Sequence, residues 1–395
     1  MIRFLTAGES HGPALIVVLE GLPAGLPVST DEVAAELARR RLGYGRGPRM
    51  RFEQDEVTFV GGVRHGRTLG SPVAIEIANT EWTRNPDKWG KEMSPDAADG
   101  PTASPLTQIR PGHADLAGMQ KYGFVDARDV LERASARETA ARVAAGTLAK
   151  KLLGTVGVRI VSHVIQMGTA RVPAGVRPGP DDLATVDGNE VRCLDAAAAE
   201  AMVAEIKAAA RDGDSLGGIV ETIAYGVPVG LGSHVHWDRK LDSALARAVM
   251  SIQAVKGVEI GDGFEVAGRR GSEAHDPVTW SAEGGYTRGS TLAGGVEGGI
   301  STGEPVIVRA AMKPLATLNR PTLATVDVLS KEAGVSFKER TDVTAVPACG
   351  VVAEHMVALA LADEVARKFG GDSVEELVRN HRGFLDALAG GPVGA

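Results

Sequence analysis

The chain has 395 residues, is 44% hydrophobic, and sets 50 Asp plus Glu against 43 Lys plus Arg for a formal charge of −7. That hydrophobic share excludes bulk disorder, and the acidic balance argues against nucleic acid as a general partner. Two cysteines, Cys193 and Cys349, exclude a disulfide framework and fit a reducing, cytoplasmic setting.

No apolar run approaches the ~20 residues of a membrane helix, and the opening MIRFLTAGESHG lacks signal-peptide character. ALIVVLEGLPAGLPV reads as a strand and a turn. A helix follows from Ser29, where Ser29 and Glu32 match a capping box and Val28 can staple onto Val33. Val33 and Leu37 share a face of that helix, and Gly43 is a plausible stop. SPVAIEI (71–77) reads as a strand. Residues 79–112, rich in Pro, Asp, Gly and Ser, read as a long loop, of a length that is usually functional or disordered. Helices are expected from about Asp129 to Gly154, over 196–211, and from Ser243 to Val255. A last helical region, starting near AVPACG, is broken at Gly370 and Gly371. The whole chain, 1–395, reads as one domain, with 388–395 a flexible tail.

Two segments echo each other. GGVRHGRTLGSPV (61–73) and GGVEGGISTGEPV (294–306) share seven of thirteen residues without a gap. GLPAGL (21–26) and GVPVGL (226–231) match at a similar offset. Chance likeness of Gly-bounded strands is one explanation; two related βα halves in one compact unit is the other.

Residues 39–51, RRRLGYGRGPRMR, place six arginines in thirteen positions with no carboxylate. Arg39, Arg40 and Arg41 fall in a helix's last turn, where positive charge complements the macrodipole. That does not account for Arg46, Arg49 and Arg51, set among glycines and a proline. Glycine admits close backbone approach, and guanidinium recognises carboxylate or phosphate bidentately, so the segment reads as an anion-binding loop. His11 in AGESHG and His113 in IRPGHAD each adjoin a glycine, His113 three residues after Arg110. Such turns expose the ring, and histidine is the natural general acid near neutral pH. A surface or satisfied core histidine is the plainer alternative.

Arg133 and Arg137 would share a helix face at i, i+4, with Glu132 and Glu138 available to pair with them. Lys313 in AMKPLAT, and Arg340 and Asp342 in KERTDVTAVPA, add charge, and the stretch from Arg340 just precedes a predicted helix, whose orphan N–H groups could bind an anion. HVHWD (234–238) is too sparse for a metal centre, and no metal is expected. Cys193 and Cys349 lack activating neighbours and read as structural.

AGESHG, RRRLGYGRGPRM, RPGHAD, RASARETAARVAAG, SIQAVKGVEIGDGF, GGVEGGISTG, AAMKP and RTDVTAVPA, in this order, resemble the blocks of the chorismate synthase family over nearly the whole chain. The resemblance implies an α+β fold: a β-α-β sandwich of two antiparallel sheets with helices, internally pseudo-repeated, in a homotetramer. It implies a lyase of the shikimate pathway, which leads to the aromatic amino acids. The reaction would be the anti 1,4-elimination of phosphate from 5-enolpyruvylshikimate 3-phosphate to chorismate, with reduced FMN and no net redox change.

By the same resemblance His11 protonates the departing phosphate, His113 protonates reduced flavin near N1, and Asp342 helps take the proton from N5. Arg40, Arg46, Arg49, Arg110, Ala136, Arg137 and Arg340 fall to substrate. The flavin cradle falls to Arg133, Ala134, Ser135, Gln253, Ala254, Gly298, Lys313, Pro314, Leu315, Ala316, Thr317 and again Arg340. Arg40 and Arg46, sometimes given to a nicotinamide nucleotide in this family, are read as substrate ligands, because the substrate carries about −3.5 to −4 charges. No reductase extension is evident, so an external reductant is expected, with NADPH acting only indirectly. Neither nucleic acid nor membrane is an expected partner.

Overall fold

The computed structural model describes residues 1–47, 55–96, 104–282, 285–337 and 342–391. Strands β1 (Arg3–Ala7), β2 (Ala14–Glu20), β3 (Val57–Gly61) and β4 (Val73–Ala78) form an antiparallel sheet in the order β1-β2-β4-β3. Side chains alternate across a strand, so Leu15, Val17 and Leu19 of β2 and Val73, Ile75 and Ile77 of β4 are buried on one face. A second antiparallel sheet takes β5 (Arg159–Met167), β6 (Ala170–Arg171), β7 (Gly218–Tyr225), β8 (Val255–Ile260) and β9 (Val306–Met312) in the order β8-β9-β7-β5-β6.

Helices α1 (Thr30–Arg41), α2 (Thr139–Gly154), α3 (Leu241–Met250) and α4 (Val346–Phe369) supply the layer between them. α2 lies on β2 and β4, α4 lies on β5 and β7, and α2 packs against α4. The fold is therefore α+β, with one cluster of buried apolar side chains running through sheet, helices and sheet. α2 and α4 approach closely at Gly146, where a Cβ would come within 2.3 Å of the His355 Cβ.

The capping box at Ser29 is present: Glu32 N donates to Ser29 Oγ at 3.3 Å, and Ser29 N to the Glu32 carboxylate at 3.0 Å. α1 ends one residue before Leu42, and Gly43 follows at φ +118, where a Cβ would lie 2.8 Å from Pro347 Cβ. Four expectations need correction. Residues 79–112 are not all loop, because Thr80–Arg84 and Pro86–Glu92 are helical, the second opened by its proline. The helix expected from Asp129 to Gly154 is two, Arg128–Ala134 and α2, separated by Ser135 in extended conformation. Ser135 caps the next turn by accepting from Arg137 N at 3.3 Å, a serine's usual competition with a continuous helix. α3 stops at Met250 and leaves Val255 to open β8. Finally, α4 is long and apolar enough to cross a membrane by composition, but 89% of that apolar window lies inside the protein. Its hydropathy is that of a helix packed on all sides. The helix Val374–Ala389 runs into the expected tail, and 392–395 lie outside the described residues.

The two echoing segments carry the same bonds. Gly25 N donates to the Thr68 carbonyl and Gly230 N to the Ser301 carbonyl, each at 2.9 Å. Leu26 N donates to Thr68 Oγ1 at 2.9 Å, and Leu231 N to Ser301 Oγ at 2.8 Å. Those hydroxyls donate in turn to the Pro23 and Pro228 carbonyls, both at 2.6 Å. The strand order β1-β2-β4-β3 of one sheet has its counterpart in β5-β7-β9-β8 of the other.

Between α1 and α4 lies a buried ion network. Glu354, fully buried, accepts from Arg39 at 2.8 and 2.9 Å, Arg192 at 3.0 Å, Lys150 at 3.2 Å and Ser162 at 2.8 Å. Burial alone would raise its pKa, but the three cations hold it well below the usual carboxylate range. Glu36, Glu354 and His355 have ligand atoms within 4.8 Å of one another. Arg39 and Lys150 pair with both of those carboxylates. Removing one partner of a buried pair strands the others. Glu354→Ala is expected to lower unfolding free energy by about 3–5 kcal/mol in denaturant titration, and Glu354→Gln by less.

Candidate active site

His11 stands in the turn from β1 to β2. Gly8 opens that turn at φ +94, where a Cβ would lie 2.2 Å from the Ala14 carbonyl oxygen. The turn is fastened to the helix Arg128–Ala134. Ser10 N donates to the Glu132 carbonyl at 3.1 Å, and His11 N to the Glu132 carboxylate at 2.9 Å. That carboxylate also lies 2.9 Å from His11 Nδ1. A carboxylate at Nδ1 assigns the proton to that nitrogen and leaves Nε2 for chemistry. The imidazole is stacked on Trp89, with ring centroids 4.0 Å apart and planes at 17°.

Asn79, fully buried, joins this turn to the arginines. Its amide donates to the Glu9 and Gly12 carbonyls at 3.0 and 2.8 Å, and its oxygen accepts from Arg137 Nε at 2.9 Å. Arg137 also donates to the buried carboxylate of Asp55. Arg40 Nη2 and Arg41 Nε each stand 3.9 Å from that same carboxylate. Arg40 further donates to Thr139 Oγ1 at 3.3 Å.

The second histidine has the same construction. Asp115, with no exposed surface, accepts from Arg110 Nε at 2.9 Å, Arg110 Nη2 at 3.0 Å and Arg110 N at 3.1 Å, and from His113 Nδ1. Burial pushes Asp115 up; the His113 and Arg110 hydrogen bonds prevail and hold it well below the ordinary aspartate value. Asp342 makes a third such pair, accepting from Arg46 Nη1 at 2.9 Å and from Gly47 N at 2.6 Å.

Contacts link these groups. Thr139, the Arg40 partner, adjoins Glu138, which accepts from Gln253 Nε2 at 3.0 Å. Ala254 passes on to Lys313, whose backbone N donates to the Ala254 carbonyl at 2.9 Å. Lys313 Nζ donates to the Gly112 carbonyl, beside His113. The run 313–317 lies against the Gly112 turn, and the Leu315 carbonyl accepts from Ser215 Oγ at 2.8 Å.

These residues fit a flavin. Gln253 Oε1 is a buried acceptor with no donor, and Ala254 is held at φ +66, a conformation that is uncommon outside glycine. An orphan acceptor beside strained backbone suits a planar ring edged with N–H donors, and Lys313 suits its negative charge. The Arg133 guanidinium donates to the Thr6 and Gly8 carbonyls at 2.7 and 3.0 Å. Gly298 turns a hairpin, Val296–Glu297 with Ile300–Ser301. Ala136 opens the short turn that carries Arg137. Arg49 and Arg340 lie outside the described residues.

Arg39 belongs to the ion network under α4, not to this site. Arg133 and Arg137 do not share a helix face, because Ser135 breaks the helix between them. Glu132 pairs with His11, and Glu138 with Arg142 at 2.7 Å. Glu132, Asn79, Trp89 and Asp55 escape sequence reasoning as site residues, since each acts across a long sequence separation. Asp115, two residues past His113 in RPGHAD, is within reach of a spacing argument. Burial raises the thiols to about 11 at Cys193 and about 12 at Cys349, which removes both as nucleophiles.

Guanidiniums and two carboxylate-held imidazoles, linked by these contacts, are the groups an enzyme would use on a small anionic molecule. The chain belongs to the chorismate synthase family, whose model matches residues 2–366. It is 62% identical over 394 residues to the chorismate synthase of Streptomyces coelicolor, covering 98% of each chain. The chorismate synthase of Salinispora tropica is 60% identical over 395 residues, with 98% of this chain and 99% of that one covered. A chorismate synthase crystal structure superposes with a TM-score of 0.77 at 40% identity, covering 98% of this chain and 97% of that one.

A carboxylate held below its unfolded pKa stabilises the fold above that pKa and loses the contribution as pH falls through the folded value. Asp115→Asn is therefore expected to flatten the fall in unfolding free energy as pH drops below about 4. Urea titrations of both proteins from neutral to acid pH would show it.

Proposed function

We propose that the enzyme eliminates phosphate from 5-enolpyruvylshikimate 3-phosphate in the anti 1,4 sense to give chorismate, the last step of the shikimate pathway. The observation that carries this reading is the buried trio Arg40, Arg110 and Arg137, 5, 8 and 6% exposed, in one contact network with His11 and His113. A substrate with two carboxylates and a phosphate needs charge-assisted, oriented partners, since desolvating it unpaired would be prohibitive. Arg46, Arg49 and Arg340 join the trio in this proposal.

The ring C–O bond to phosphate breaks at one end of the allylic unit and a C–H bond breaks at the other, leaving a second ring double bond. His11 enters this step as the imidazolium: its Nδ1–H is held by Glu132, and its Nε2–H passes a proton to the departing phosphate, leaving the neutral ring. Reduced FMN, when bound, supplies an electron-rich ring that assists loss of phosphate and of a weakly acidic hydrogen, with no net redox change. Gln253, Ala254 and the run Lys313–Thr317 would hold it, with Arg133 to Ser135 and Gly298 completing the cradle. His113, fixed by Asp115, is the donor on its N1 side. Asp342, held by Arg46 and Gly47, is the acceptor on its N5 side.

The proposal extends to the assembly and its setting. Leu5 and Val60 on the first sheet are 77 and 65% exposed, which supports self-association as a homotetramer. A cytoplasmic location and an external flavin reductant, with NADPH acting only through it, accord with this enzyme class. The shared bonds of the two echoing segments support two related βα halves.

Anaerobic incubation with 5-enolpyruvylshikimate 3-phosphate is expected to yield chorismate with reduced FMN and none with oxidised FMN. Phosphate release without reduced FMN would overturn the reading. His11→Ala is expected to lower kcat by about 10²–10⁴-fold while substrate still binds, as loss of a general acid does. Stopped-flow turnover and a binding titration separate the two effects.

A further inference from the structure

Trp89 is 6% exposed, and its indole Nε1–H has no hydrogen-bond partner. A buried tryptophan N–H is ordinarily paired, because leaving it dry costs a large part of its hydration. The same ring is stacked on His11 at 4.0 Å, and Lys88 Nζ stands 4.2 Å from its centroid. An unsatisfied donor, a cation and an imidazole thus meet at one ring. Hydrophobic packing explains the stack but not the orphan donor.

We propose that Trp89 is a substrate-binding residue whose indole N–H donates to an anionic oxygen of the substrate beside His11, the leaving phosphate rather than a carboxylate. This rests on His11 acting on that phosphate. The bond would hold the phosphate against the imidazole while the C–O bond breaks. The proton still comes from His11, and Trp89 donates only a hydrogen bond.

The protein has four tryptophans, and ¹⁵N-indole labelling with Trp89→Phe assigns the Trp89 resonance. With oxidised FMN present, 5-enolpyruvylshikimate 3-phosphate is expected to move the Trp89 indole proton downfield, and 5-enolpyruvylshikimate, which lacks the phosphate, is not. Trp89→Phe keeps a ring against His11 and is expected to weaken substrate binding by about 10–100-fold, the loss of one hydrogen bond to a charged group. Its unfolding midpoint should stay close to that of the unsubstituted enzyme. A resonance that moves equally with both compounds assigns the bond to a carboxylate and overturns the phosphate assignment. If the enzyme turns over but the Trp89 resonance stays still with either compound, the role of Trp89 falls and the proposed reaction stands. If substrate moves no resonance and no chorismate forms, the proposed reaction fails and the role of Trp89 with it.

Discussion

A guanidinium buried in a protein must be neutralised where it lies, and that requirement organises the site. Asp55 holds Arg137 and faces Arg40 and Arg41; Asp115 holds Arg110; Asp342 holds Arg46. Each carboxylate fixes the direction of a planar, multi-donor group before any ligand arrives. Glu132 and Asp115 do for the two imidazoles what these carboxylates do for the arginines. The cost of desolvating this much charge is met by pairing, and the fold supplies the pairs from segments far apart in the chain.

The three-layer architecture makes those long-range pairs possible. The β1–β2 turn brings His11, the segment after β4 brings Asn79 and Trp89, and the break at Ser135 turns Arg137 toward both. A continuous helix there would carry Arg137 round with α2 and separate it from Asn79. On the other sheet, the end of β9 and the strained Ala254 place Lys313 against the Gly112 turn. His11 and Asn79 therefore come from the side of one sheet and Ala254 and Lys313 from the side of the other, joined across the helical layer by Thr139, Glu138 and Gln253.

Much of this was legible in the sequence where the signal is local. The capping box at Ser29, the strand around Val73–Ile77 and the glycine breaks at 370–371 all follow from near-neighbour chemistry. The glycine-flanked His11 and His113 and the dense arginines are local signals too, and the structure gives each histidine a carboxylate at Nδ1. What could not be read depends on tertiary pairing. Arg39 and Arg40 are adjacent in sequence, yet one goes to Glu354 under α4 and the other to Thr139 at the site. Glu132 was equally available to the nearby arginines, and only the approach of the β1–β2 turn gives it to His11. The apolar composition of α4 hid how much of it the protein covers, and the helices at 80–84 and 86–92 lay beneath loop-like composition.

The central claim is that guanidinium geometry, and not positive charge alone, holds the substrate. Arg40→Lys tests it directly, because the charge is kept and the planar fork is lost. Calorimetric titration with 5-enolpyruvylshikimate 3-phosphate and oxidised FMN should show Kd weakened about 10–100-fold, with the unfolding midpoint little changed. An unchanged Kd in a folded Arg40→Lys protein would contradict the claim and reduce the arginine cluster to a source of diffuse positive charge.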